Sequence, residues 1–152
     1  MRQQQQSDPV EFAHRAIAKR YWTVTAVRAT QSVGFPAYAY TTGLISLGHP
    51  ELIIYGLEPG EAGSILNTVG HRIARAGGRL VAGERLSGFF DDDLDLMVIE
   101  ALTTSDLRVA TSVYGSVSAW QLVWPDRAGQ YPWSAGYRIA KTVQPLAGLP
   151  AA

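Results

Sequence analysis

An imidazole and a carboxylate stand two residues apart at His49 and Glu51, with Pro50 between them and the apolar run Leu52-Ile53-Ile54-Tyr55 after them. A histidine with a nearby carboxylate can act as a general base or orient a water. Positions i and i+2 of a strand share a face, but Pro50 argues for a bend. The alternative is that His49 caps the strand through a main-chain contact. Pro50 then opens the strand where no ladder N–H is required. Thr41-Thr42-Gly43-Leu44 precedes this pair and Gly56 follows it, so the two residues sit among glycine-marked strand ends. Loops at strand ends are where sites are commonly built.

A second stretch reads Gln121-Leu122-Val123-Trp124-Pro125-Asp126, then Gly129 and Tyr131-Pro132-Trp133. Aromatic residues in a proline-stiffened loop offer large, rigid contact area at low entropic cost. Such a loop suits the wall of a pocket for a flat or apolar ligand, or a protein anchor. Alternatively, Trp120, Trp124 and Trp133 pack over the open end of a sheet as a satellite core.

Other chemistries find little support. The three histidines, His14, His49 and His71, form no HxH or HxxxH pair. The run Asp91-Asp92-Asp93 with Asp95 lacks the glycine and terminal glutamate of a calcium loop and reads as a solvated turn. No metal site and no cofactor are indicated. The chain has no cysteine, which removes disulfides, thiolate nucleophiles and cysteine-ligated zinc. There is no GxSxG elbow, and Gly77-Gly78 follows a helical pattern rather than opening one, as a cap does and a phosphate cradle does not.

The elements that must position these residues follow from periodicity. Pro9, behind a Ser7 or Asp8 cap, opens a helix to about residue 20. Residues 21–29 and 37–42 are β-branched and aromatic and form a hairpin around Gly34 and Pro36, with Tyr38 and Tyr40 on one face. Residues 51–56 form a short apolar strand, central in the sheet. Pro59 opens the clearest helix, with Ala62, Ile65, Leu66, Val69, Ile73 and Ala76 on one side and Gly77 at its end. Strands are expected at 80–86, 94–98, 117–124 and 136–141. Within 103–114, Thr104 or Ser105 could cap a short helix. Residues 143–152 read as a Pro/Gly-rich tail.

With 152 residues, 47% of them hydrophobic, the chain suits a single domain with a real core. That domain is expected over residues 9–148, with tails at 1–8 and 149–152. Strand runs with two or three interspersed helices give an α+β class on a mainly antiparallel sheet. The 13 basic residues balance the 13 acidic ones, so no field draws the chain to nucleic acid or an anionic membrane. No leader and no apolar run near the roughly 20 residues of a membrane span is visible, and a cytoplasmic protein is expected.

The succession Tyr40-Thr41-Thr42-Gly43-Leu44, His49 to Leu57, Ile65-Leu66-Asn67, Gln121 to Asp126, Gly129, Tyr131-Pro132-Trp133 and Gln144-Pro145-Leu146 resembles a bacterial family, domain of unknown function 4262. The resemblance covers residues 20–148. It implies no activity, but its recurrent positions include Tyr40, Thr42, His49, Glu51, Asn67, Gln121, Trp124, Asp126 and Trp133. Fainter similarities run to suppressor-of-fused-like bacterial modules and to flavin-reductase split barrels, the latter without a flavin signature.

These readings combine into one expectation. A small molecule or protein partner binds a cleft formed by residues 42–51 and 121–133. His49 and Glu51 supply polar contacts, with Tyr40, Thr42, Asn67, Gln121, Trp124, Asp126 and Trp133 as ligand-binding candidates and Tyr38 as a further wall. The rival is a cofactor-independent enzyme with His49 as base and Glu51 as its orienting group. A third reading is an interaction or immunity-type module marked by an exposed Trp133, and a homodimer is compatible with either binding role. The shared cleft requires both segments at the same end of the sheet.

Overall fold

The computed structural model describes residues 8–91 and 93–150. The tail expected at 1–8, apart from Asp8, lies outside the described residues, as do Asp92 and residues 151–152, and the side chain of Ala76 is likewise outside them.

Helix α1 (Pro9–Ala18) starts as its sequence requires: the Asp8 carboxylate accepts from Val10 N–H at 3.0 Å and proline occupies the first turn. Strands β1 (Thr23–Val27) and β2 (Tyr38–Thr42) form the antiparallel hairpin, with Thr25 opposite Tyr40 and Val27 opposite Tyr38. Strand β3 (Glu51–Tyr55) is buried along its whole length and pairs antiparallel with β2. Helix α2 (Pro59–Ala76) runs from Pro59 to a left-handed Gly77. Strands β4 (Arg85–Leu86) and β5 (Leu96–Ala101), helix α3 (Arg108–Tyr114) and strand β6 (Ala119–Val123) complete the chain.

The sheet order is β1-β2-β3-β6-β5-β4. Every pairing is antiparallel except β3 with β6, which run parallel with Glu51 opposite Ala119 and Ile53 opposite Gln121. The domain is α+β, with three helices on a mixed, mostly antiparallel sheet.

Strand alternation divides the core in two. On one face Ala39, Leu52, Ile54, Leu96, Val98 and Leu122 meet Ile65, Leu66, Val69 and Ile73 of α2. Trp22, Trp120 and Trp124 pack against the same cluster. On the other face Tyr38, Tyr40, Ile53 and Tyr55 meet Leu107 and Ala110 around α3, and Ala147 packs beside them. Ile99, Val123, Tyr131 and Trp133 form a smaller group further along that face. Trp133 is therefore the member of the tryptophan trio that sits in a satellite cluster, while Trp120 and Trp124 belong to the main core.

Several expected elements are corrected. Residues 136–141 form turns and bends, not a strand; Arg138 N–H is taken by the Asp126 carboxylate at 3.0 Å. The strand expected at 80–86 shrinks to Arg85–Leu86; ahead of it Val81 N–H turns back onto the Glu84 carboxylate. The strand expected at 94–98 begins at Leu96 and continues to Ala101. Neither Thr104 nor Ser105 caps α3, whose flanking residue is Leu107. The Tyr40 hydroxyl accepts from Val109 N–H at 2.9 Å instead, so a strand side chain stands in for the local cap.

Candidate functional site

Glu51 is fully buried, and its carboxylate is enclosed by donors. Thr41 Oγ1–H donates at 2.8 Å, and the N–H groups of Gly43, Leu44 and Ile45 donate at 2.9, 3.0 and 3.2 Å. Thr41 Oγ1 in turn accepts from Leu52 N–H. Gly43 reaches this arrangement at φ +134°, where a side chain is poorly tolerated. Three successive amides around one carboxylate make an anion nest, filled here by the chain's own side chain. Burial raises the Glu51 carboxyl above its ordinary range, against the pull of the four donors.

His49 is nearly as enclosed. Its Nδ1 lies 2.6 Å from the Pro50 carbonyl oxygen, and Leu80 N–H reaches Nε2 at 3.2 Å. A carbonyl can only accept and an amide can only donate. The two contacts therefore fix the neutral tautomer with the proton on Nδ1. The lone pair that a general base would use is held by Leu80, and the Glu51 oxygens point to other partners. These contacts correspond to the strand-capping alternative, with the cap made between residues 49 and 80.

Burial lowers the His49 pKa, the Pro50 carbonyl opposes this, and the Arg79 charge adds to the lowering. The unfolded chain therefore binds this proton more readily than the folded one. His49 contributes its full stability above its unfolded value of 6.5, and that contribution is lost as pH falls through the depressed folded value. Urea midpoints measured between about pH 7.5 and about pH 5.5 are expected to decline, and His49→Gln is expected to flatten the decline. An unchanged slope in that variant would assign the effect elsewhere.

The remaining sequence candidates fall in separate places. Residues 43–50 lead into the start of β3, whereas Trp124 leaves the far end of β6, where its Nε1–H donates to the Tyr55 carbonyl at 2.7 Å. Because β3 and β6 are parallel, the two segments lie at opposite ends of the sheet, about 13 Å apart along a five-residue strand. The shared cleft expected between residues 42–51 and 121–133 does not form.

Asp126 closes its own turn, accepting from Ala128 and Gln130 N–H through Oδ1 and from Arg138 N–H through Oδ2. Burial pushes its carboxyl up, but the donors of Gln130, Arg138 and Ala128 outweigh this and hold it below the ordinary range. Gln121 is fully buried and pairs both ends of its amide with the main chain, donating to Pro145 O at 2.8 Å and accepting from Ala147 N–H at 2.7 Å. Gln144 does the converse to Trp124, accepting from its N–H and donating to its carbonyl. Asn67 accepts from Trp22 Nε1–H at the surface. Thr42 buries a hydroxyl that has no partner among the described residues. Trp133 is half-buried and stacks on Tyr131 with ring centroids 5.1 Å apart.

Two of the ligand-binding candidates line concavities: Asp126 borders one of about 490 Å³ with Arg127, Ala128, Arg138 and Ile139, and Tyr40 borders one that also draws in aromatic and charged side chains from several elements. A hollow of about 430 Å³ opens on the α3 face beside the hairpin, lined by Tyr38 and Tyr40, by Thr25 and Val27 of β1, by Val33, Phe35 and Pro36, and by Arg28, Asp106, Arg108 and Val109. Tyr38 and Tyr40 form its aromatic floor, with centroids 6.2 Å apart, and Tyr55, outside the lining, packs on Tyr38 at 5.6 Å. Tyr55 O–H donates to Asp106 Oδ2 at 2.7 Å. Burial raises the Tyr38 hydroxyl pKa, the Asp106 charge adds to this, and Arg108 opposes it. The hydroxyl makes no hydrogen bond among the described residues. Asp106, Arg108 and Arg28 were not among the sequence candidates. The readable signal was Tyr38 and Tyr40 on one face of a hairpin; the loop that brings Asp106 to that face left no local mark.

Among the described residues no group of three potential metal ligands converges, and no helix is long and apolar enough to cross a membrane. A family model described as a domain of unknown function, DUF4262, matches residues 16–138, which agrees with the resemblance carried by the motifs. No curated protein matches the chain, and no solved structure matches it.

Proposed function

We propose that the chain, which belongs to the DUF4262 family, binds a small molecule in the concavity above Tyr38 and Tyr40. One observation carries this: Tyr38 and Tyr40 floor an open hollow of about 430 Å³ beside the Asp106 carboxylate, and the Tyr38 hydroxyl makes no hydrogen bond among the described residues. Ligand sites are concave, mostly apolar, and equipped with a few convergent polar groups. The rim adds Val33 and Phe35, which are 68% and 53% exposed. Apolar side chains left in water around a hollow favour an occupant that covers them.

The floor is rigid. Tyr38 is held between Tyr40 and Tyr55, and Tyr55 is pinned by Asp106. Little order would have to be created on binding, which favours affinity. The test uses N-phenyl-1-naphthylamine, a neutral dye that brightens in apolar surroundings. Val27→Trp fills the hollow from an exposed position on β1 and is expected to reduce dye binding by about tenfold. Val81→Trp, at a more exposed residue outside the hollow, is expected to leave it unchanged. Equal binding by both variants would overturn the proposal.

A further inference from the structure

The charges around the same concavity carry a choice of ligand class. Its lining includes three charged side chains, Arg28, Arg108 and Asp106, which leave one positive charge in excess in a chain that is neutral as a whole. The single carboxylate is already engaged, accepting from Tyr55 O–H at 2.7 Å. Neither guanidinium makes an ion pair or a side-chain hydrogen bond among the described residues. Both guanidiniums are thus available to a ligand, while one oxygen of the carboxylate is taken by Tyr55.

A cationic ligand would need open aromatic faces, and it would meet two guanidiniums against one carboxylate. The tyrosine faces are turned on one another: Tyr38 and Tyr40 stack with their planes 18° apart, and Tyr38 and Tyr40 are 8% and 2% exposed. They form a floor, not a cage. Guanidinium groups present a planar fork that matches a carboxylate through two parallel N–H···O bonds. Phe35 and Val33, both exposed at the rim, supply an apolar surface for the body that carries the charge.

We infer that the concavity selects anions borne on a flat apolar body, of which an aromatic carboxylate is the simplest kind, with Arg28 and Arg108 holding the charged group and Tyr38 and Phe35 contacting the ring. This rests on the binding reading above and goes further by naming the ligand's charge and shape. The Tyr38 hydroxyl, free to donate, supplies a third bond to the anion. Asp106 sets the limit on the other side: a dianion bulky enough to reach it meets a like charge, so a single carboxylate fits better than a phosphate ester.

Three probes with the same ring system separate the possibilities: 2-naphthoate, 2-naphthamide and 2-naphthylmethylamine, which are anionic, neutral and cationic. Each is titrated into the full chain and followed by amide chemical shifts. Naphthoate is expected to shift the Val33, Val109 and Thr25 amides and to bind about tenfold more tightly than naphthamide. The preference is expected to shrink as salt rises. In Arg28→Gln/Arg108→Gln, both changes at exposed positions, naphthoate is expected to fall to the affinity of the amide while the amide's own binding holds. If naphthamide or the amine binds at these amides as tightly as naphthoate, the anion inference is overturned and the site survives. If none of the three probes shifts them, both the site and its selectivity are overturned.

Discussion

Glu51→Ala is expected to lower the free energy of unfolding by about 4 kcal/mol, because it strips the acceptor from a cluster of buried donors. The N–H groups of Gly43, Leu44 and Ile45 all end on this carboxylate. Without it they face the interior unpaired, and each unsatisfied buried donor costs about 1–3 kcal/mol before relaxation. Thr41 loses the acceptor for its hydroxyl at the same time. Glu51→Gln is the sharper comparison. Its amide keeps one oxygen but turns an NH₂ toward main-chain donors, and a loss of about 2 kcal/mol is expected. Urea unfolding checks both. A Glu51→Ala protein with the parental midpoint would show that the nest is not what holds residues 41–45, and would return weight to a role for Glu51 in chemistry.

Gly148→Ala is expected to be nearly as damaging, by about 3 kcal/mol, although it adds one methyl group near the end of the chain. A Cβ at this position would run into the carbonyl oxygen of Glu100, a main-chain atom of β5 that cannot swing aside. The segment must then lift. Ala147 O accepts from Leu102 N–H at 2.8 Å and Thr103 N–H at 3.1 Å, and Ala147 N–H donates to Gln121. Lifting breaks all three bonds and strands the side-chain oxygen of a fully buried glutamine. Thermal melting and limited proteolysis from the C-terminus measure the effect, with Leu149→Ala, at a residue 74% exposed, as the neutral control. A Gly148→Ala melt within about one degree of the parent would mean that this strap is dispensable.

The elements that were legible in the sequence are those whose causes are local. Helix α2 announces itself through Pro59, a 3.6-residue apolar stripe and Gly77. The β1–β2 hairpin and the buried β3 are written in β-branched and aromatic runs. What could not be read is direction and partnership. Nothing in residues 117–124 says that β6 lies parallel to β3, and that single fact sends Trp124 to one end of the sheet and His49 to the other. The strand expected at 136–141 has a plausible composition, yet its Arg138 N–H goes to the Asp126 carboxylate and not to a sheet edge. Motif residues were easy to find and hard to interpret. Glu51, Gln121 and Asp126 look like polar site residues, yet each is bound by the chain's own main chain. The hollow above Tyr38 draws on Arg28, Asp106 and Arg108, which are brought together only by the complete fold.

The parallel pairing also sets a hazard during synthesis. Strand β3 offers Leu52-Ile53-Ile54-Tyr55 with one edge covered by β2, while the other edge waits for β6, about 70 residues later in the chain. At roughly 5–20 residues per second a ribosome leaves that edge open for several seconds. Helix α2 emerges in the interval, but it shields a face of the sheet and not the open row of N–H and C=O groups. A nascent chain stalled before residue 119 therefore displays a flat apolar strand with an unpaired edge, the kind of template on which neighbouring chains stack.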